Sequence, residues 1–165
     1  MKLQNLLLSA VTAFLFTGTA GGAAMAEGCG DGVLQNESFD GNLVVSGEFS
    51  CSIISSDIQG NLRVSDTDNI LLLNNKVGGT LRVDGNAGFG TANVIANTVF
   101  SGNLVVREYG TANVIENETL VRNIRVIGNT SALVQKNISG LNLICRENTD
   151  LSAFLNFAKA SLNCE

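Results

Sequence analysis

Gly90-Thr91-Ala92-Asn93-Val94-Ile95-Ala96-Asn97 returns twenty positions later as Gly110-Thr111-Ala112-Asn113-Val114-Ile115-Glu116-Asn117. Around this pair runs a longer rhythm. Gly41-Asn42-Leu43-Val44-Val45 is followed by Gly60-Asn61-Leu62-Arg63-Val64, Gly79-Thr80-Leu81-Arg82-Val83 and Gly102-Asn103-Leu104-Val105-Val106. Arg122-Asn123-Ile124-Arg125-Val126 and Leu141-Asn142-Leu143-Ile144-Cys145 complete the series. The central Leu or Ile falls at positions 43, 62, 81, 104, 124 and 143, in steps of 19, 19, 23, 20 and 19. A fixed period near twenty residues is the mark of a stacked repeat, because one repeat alone cannot cover its own apolar face.

Within each unit the apolar residues alternate. Leu62 and Val64 fall on one face, Asn61 and Arg63 on the other, which is the period of a half-buried strand. A second apolar segment follows in each unit (Ile53-Ile54, Ile70 to Leu73, Val94-Ile95, Val114-Ile115, Leu133-Val134), then a short third one at Ile58, Val77, Val99, Leu120 and Ile138. Such short units leave no room for the helical crossovers that a flat parallel sheet needs. The sequence therefore predicts an all-β, single-domain parallel β-helix of about six turns of 19–23 residues, with an apolar inside and a polar outside. The irregular corners favour a right-handed coil. Asn42, Asn61, Asn103, Asn123 and Asn142 share one repeat position, with Thr80 between them; Asn75, Asn97, Asn117 and Asn137 share another, preceded by Ser56. These two columns read as structural ladders: Asn tolerates left-handed corners, and stacked Asn side chains bond along a rod.

The repeats occupy 41–148, with an N-terminal cap over 27–40. Over 149–165, Leu151, Phe154, Leu155, Ala158 and Leu162 have helical spacing, with Thr149 or Asp150 as N-cap, so a C-terminal helix is expected to lid the core. The extra length between Leu81 and Leu104 maps to Asp84–Gly90, a loop that presents Phe89. Cys29, Cys51, Cys145 and Cys164 form an even set, suited to two disulfides. Bonded cysteines need Cα atoms within about 7 Å, and the first and last turns stand far apart. That leaves Cys29–Cys51 and Cys145–Cys164, each stapling one end and each stabilising by about 3 kcal/mol through loop closure.

Residues 1–26 read as a secretory signal peptide: Lys2, an apolar run from Leu6 to Phe16, and Ala24-Met25-Ala26 as cleavage site. The apolar run is shorter than the roughly 20 residues of a membrane span, so no transmembrane anchor is expected, and the localisation implied is secreted or periplasmic. Removing Lys2 leaves nine basic and fifteen acidic residues, a net charge of −6, which argues against nucleic acid as a partner. The chain has no His and no Trp. Histidine-based triads and His-ligated zinc are thus excluded, and sugar-stacking aromatic platforms are scarce.

The Gly-Asn-Leu-x-Val strands, the preceding segments Asn75-Lys76-Val77 and Asn97-Thr98-Val99, and the ending Leu143-Ile144-Cys145-Arg146-Glu147-Asn148 with Cys164 resemble those of secreted bacterial parallel β-helix repeat proteins. The resemblance covers roughly 41–148 and implies fold rather than activity. It does not extend to Thr-x-Thr ladders or Asp-rich calcium nonapeptides. Longer β-helix relatives act on polysaccharides; a glycosidase needs two carboxylates at a set separation, and the candidate residues here lie on the outward strand position and the turn after it.

Arg63 and Arg82 share the outward position in adjacent turns, and Arg125 repeats it. Together with Phe89 they form the candidate binding strip, suited to an anionic glycan. Asp66, Asp68 and Asp84 stand near enough to neutralise Arg63 and Arg82; with Asn86 they also offer oxygen ligands of the kind calcium takes, as a minor reading, and neither a metal nor a cofactor is assigned. The first functional reading is an exported, monomeric, non-catalytic rod binding a glycan, an envelope component or a surface protein. A structural, self-assembling envelope protein is the alternative, and a small polysaccharide-acting enzyme the third class.

Overall fold

The computed structural model describes Ala26, Glu27, Cys29 and residues 32–165; residues 1–25, where most of the signal-peptide reading falls, lie outside the described residues. The chain coils into a parallel β-solenoid of about seven turns. Each turn lays down three strands, one in each of three rows. The first row starts with Ala26–Glu27 and Leu43–Ser46, continues through the Gly-Asn-Leu strands and ends at Ser161–Cys164. The second runs from Val33–Gln35 through Ser50–Ile54 and Asn69–Leu73 to Asp150–Phe154. The third, of two-residue strands, runs from Ser38–Phe39 to Phe157–Ala158. Leu81–Ile95 and Leu104–Ile115 pass unbroken from the first row into the second and weld the two into one 13-stranded sheet. At about 4.8 Å per step the seven turns make a rod of roughly 34 Å.

The alternation seen in the sequence becomes the inside and outside of the coil. Leu43, Leu62, Leu81, Leu104, Ile124 and Leu143 stack directly on one another and are fully buried. The core narrows toward the C-terminus. In the third row the inward residue changes from Phe39 to Ile58, Val77, Val99, Thr119, Ser139 and finally Ala158. The two hydroxyls in this series donate to the carbonyls of Arg122 and Asn142 and so remain satisfied while buried.

Two findings correct the sequence expectations at the ends. Residues 149–165 hold no helix: Asp150–Phe154, Phe157–Ala158 and Ser161–Cys164 continue the three rows. The N-terminal cap is likewise a turn of the coil, so the count rises from six to about seven. The apparent helical stripe arose because Leu151, Ala158 and Leu162 are the inward positions of one more repeat, whereas Phe154 and Leu155 point outward. The two disulfides are Cys29–Cys51 and Cys145–Cys164. The second joins residues paired directly across adjacent strands.

The outside also departs from expectation. On the second row Ile54, Leu73, Ile95 and Ile115 line up outward as a half-exposed aliphatic column, so the outer face is not polar throughout.

The corners are built on left-handed residues, but these are not the ladder asparagines. Ser55, Asn74, Ala96, Glu116, Lys136 and Leu155 have φ between 51° and 57°, and each precedes the ladder position. That bend turns the next side chain inward. Asn75, Asn97, Asn117 and Asn137 are thereby buried. Asn117 shows their role. Its Oδ1 accepts from the backbone N–H and the Nδ2 of Asn97, both at 3.0 Å. Its own Nδ2 donates to the Val94 carbonyl at 2.7 Å and to Asn137 at 3.1 Å. The ladder extends to Asn156. The Asn42–Asn61 and Asn103–Asn123–Asn142 series is more exposed and has the opposite polarity, since each oxygen accepts from the following turn.

Asn117→Ala removes the partner of several buried polar groups at once and is expected to destabilise the fold by about 2–4 kcal/mol. Asn61→Ala, whose partners can reach water, is expected to cost about 1 kcal/mol or less. Urea unfolding followed by circular dichroism measures both.

Candidate functional site

The first row carries the charge pattern that sets this molecule apart. Its outward positions fall in two columns. One reads Val44, Arg63, Arg82, Val105, Arg125, Ile144. The other reads Ser46, Ser65, Asp84, Arg107, Ile127, Arg146. Five of the six arginines of the chain therefore project from one sheet face, and the sixth, Arg122, stands at the corner leading into it. Among the described residues, Asp84 is the only acid in these two columns. The acidic residues that make the chain net negative sit mostly at corners and on the other two rows.

Arg63 and Arg82, singled out from the sequence, are direct cross-strand neighbours. Arg125 lies in the same column but is separated from Arg82 by Val105. Arg107 and Arg146 escaped the sequence reading because they occupy the position two residues on, where other turns carry Ser, Asp or Ile. The missed signal was positional: both residues stand three positions after the central Leu of their repeat, and only Arg and one Asp bring charge to that column.

Asp84 organises the centre of the face. One carboxylate oxygen takes the Arg82 Nε at 2.6 Å and the other takes the Arg107 Nε at 2.6 Å. Arg107 also approaches Glu108 at 3.6 Å. Burial by itself would raise the Asp84 pKa, but the hydrogen bonds from Arg82 and Arg107, helped by their charges, outweigh it and hold the carboxyl below its ordinary 3.8. The bond to Asp84 in turn raises Arg107 above its usual value. Arg63, Arg125 and Arg146 make no ion pair among the described residues. Among the described residues their guanidinium groups have no ion-pair partner to compete with an anion.

Beside this face the inserted loop Asp84–Gly90 replaces the ordinary corner. Ala87, Gly88 and Gly90 take positive φ there, and Phe89 is carried outward to 71% exposure. The space beneath is filled from the next turn. Tyr109, in register with Phe89, is fully buried and reaches back two turns to donate its hydroxyl to the Thr67 carbonyl at 3.0 Å. Gly85 makes room for the ring: a Cβ there would lie 2.7 Å from Tyr109 Cδ2. Burial first, then the charges of Asp84, Asp66 and Asp68, raise the Tyr109 pKa far above the ordinary phenol range, so this hydroxyl is a structural donor at all physiological pH. Phe89 thus stays on the surface because Tyr109 has taken the interior position.

The oxygen ligands suggested for calcium are divided. Asp84 is occupied by two arginines, and among the described residues no group of three acidic or other metal-binding side chains converges. A shallow depression of about 130 Å³ on the second row, bordered by Ser52, Leu71 and Asn93, is smaller than the roughly 300–1,000 Å³ of ligand pockets. No helix among the described residues is long and apolar enough to cross a membrane. Two disulfides suit an oxidising compartment. No family model, no curated protein and no solved structure matches this chain.

Because its folded pKa is depressed, Asp84 contributes stability that is present above its unfolded pKa and is lost as pH falls through the lower folded value. The stability difference between wild type and Asp84→Asn is therefore expected to be largest at neutral pH and to shrink as the pH drops below 3.8. Paired denaturation curves at pH 7 and pH 3 measure it.

Proposed function

We infer that this protein is an exported, non-catalytic rod whose first sheet row binds an extended polyanion, the carboxylates or sulfates of an acidic glycan or envelope polymer. One observation carries the reading: an acidic chain places five of its six arginines on a single sheet face. Random placement on three rows would not segregate them, and solvation alone does not require it, since Lys76, Lys136 and Lys159 all lie on the other rows or corners.

The geometry suits a polymer better than a small ligand. The open contacts Arg63 and Arg125 stand three turns apart in one column, about 14 Å along the rod, a reach that one extended chain spans and a single small anion does not. A guanidinium offers a planar fork to each carboxylate or sulfate. Asp84 neutralises part of the charge of Arg82 and Arg107 and holds both upright, so the like-charged face costs less to assemble. Arg63, Arg125 and Arg146 are left as the open contacts, and Phe89 stands at the edge of the same face. A rigid sheet face recognises charge spacing rather than the shape of one sugar.

A structural or self-assembling role is the second reading, and the half-exposed aliphatic column Ile54–Leu73–Ile95–Ile115, suited to side-by-side packing of rods, supports it.

Arg63→Glu/Arg125→Glu/Arg146→Glu avoids the Asp84 cluster and is expected to leave the fold intact. Binding to polygalacturonate, followed by microscale thermophoresis, is expected to weaken by about ten- to a hundredfold, at roughly 0.5–1 kcal/mol per exposed ion contact. Wild-type binding is expected to fall with rising salt. Equal binding of neutral dextran, or unchanged binding by the triple variant, overturns the proposal.

A further inference from the structure

The third row and the corner after it carry an apolar patch in the middle of the rod. Phe100 and Leu120 follow the inward residues Val99 and Thr119 in consecutive turns, so they stand side by side. Val121 continues from Leu120, Leu141 lies one turn further on, and Ile138 flanks them beside Glu118. All five are 37–51% exposed. Single exposed apolar residues are ordinary on a protein surface. A contiguous patch with a polar rim marks an interaction site instead. The rim here is Lys76, Thr98 and Glu118, which share the outward position of the third-row strands.

One turn before Phe100 the same column is flat. Gly78 and Gly79 stand there, and a Cβ at either would collide with the Gln59 carbonyl or the Asn61 side chain. The face therefore has a ridge on one side of Phe100, at Leu120-Val121, and a hollow on the other.

We propose that this face packs on the same face of a second copy, as an antiparallel two-fold dimer whose axis runs along the strand direction at Phe100. Such an axis keeps the strand direction and reverses the order of the turns, so each column meets itself in reverse. Phe100 then packs against its own copy. Leu120 and Val121 fall on the second copy's Gly78 and Gly79, and its Leu120 and Val121 fall on Gly78 and Gly79 in return. Ridge fills hollow twice, as a self-complementary contact requires.

Charge agrees with the same register. Lys76, Thr98 and Glu118 occupy consecutive turns of the neighbouring column. Reversal about Thr98 sets Lys76 opposite the second copy's Glu118, and Glu118 opposite its Lys76. Neither makes an ion pair within the chain among the described residues, since two turns, about 9.6 Å, separate them. Further out, the register opposes Asp40 to Lys159, both exposed. Ile138 meets the exposed Asp57 at the rim, where the carboxylate keeps its water. An axis along the rod would instead set Lys76 against Lys76, or Glu118 against Leu120. Charge therefore selects the antiparallel arrangement.

The contact closes on itself, so it stops at two copies. It leaves the first row uncovered and stands independently of the arginine face. It differs from the monomer expected from the sequence, where Leu120 and Ile138 were read as core residues.

The test is sedimentation velocity of the full, disulfide-bonded chain over a concentration series. The expected result is a monomer–dimer equilibrium that saturates at two copies. Phe100→Ser/Leu120→Ser weakens it by about a hundredfold or more, because each substitution acts in both halves of the contact. Lys76→Glu weakens it by about tenfold, and adding Glu118→Lys restores it. Circular dichroism and the melting temperature of each variant report folding separately. A chain that stays monomeric, or that grows beyond the dimer, overturns the proposal. So does a dimer that folded Phe100→Ser/Leu120→Ser leaves unchanged. A Lys76→Glu loss that Glu118→Lys does not restore overturns it too, since the two residues then do not face each other.

Discussion

The structure depends on one requirement at its corners: buried backbone groups must find hydrogen-bond partners where the chain leaves one row and enters the next. Strand ladders satisfy the backbone within the rows, but a corner has no ladder. The inward asparagines fill this role. Each supplies an oxygen to the backbone N–H of a neighbouring turn and an amide to carbonyls of the strand above it. Aspartate would bring a buried charge and no donor, and an apolar residue would leave both kinds of backbone group unsatisfied. The left-handed residue before each asparagine aims it inward, so the bend and the ladder depend on one another.

The other features follow from that frame. Because the corners fix the spacing of the turns, equivalent residues stack in straight columns, and any residue type repeated at one position becomes a stripe on the rod. The leucine columns make the core. The arginine columns make the cationic face, steadied by one carboxylate shared between Arg82 and Arg107. The aliphatic column Ile54–Leu73–Ile95–Ile115 makes a second, apolar surface. Where an insertion breaks the frame at Asp84–Gly90, the protein repairs it with Tyr109, which bridges to Thr67 across the interrupted turn.

The ends show why a repeat is harder to read at its limits than in its middle. In the last turn Leu151, Ala158 and Leu162 satisfy helical and solenoid spacing alike, and Phe154 and Leu155 complete the false stripe. The residues that discriminate are Asn156 and Cys164, each 19 positions after its counterpart, Asn137 and Cys145. An apolar pattern says only which residues seek cover. A polar residue recurring at a buried ladder position says which backbone geometry is present. The N-terminal turn reads in the same way once Phe39 is placed 19 residues before Ile58.

The sequence by itself determined the coil, its period, the inner columns of its first two rows and the pairing of its cysteines, because these depend on spacing along the chain, and a solenoid turns spacing directly into stacking; in the third row the apolar Leu120 and Ile138 proved to face outward, with Thr119 and Ser139 inside. Tertiary structure decided what spacing does not encode. Arg107 and Arg146 joined the face of Arg63, Arg82 and Arg125 because the register brings neighbouring columns side by side. Asp84 became their bridge because its carboxylate lies between two turns. Phe89 stayed on the surface because Tyr109, twenty residues away, took the interior space. Residues 150–164 became strands because pairing with the preceding turn satisfies their backbone, where a helix would have left that turn without its neighbour.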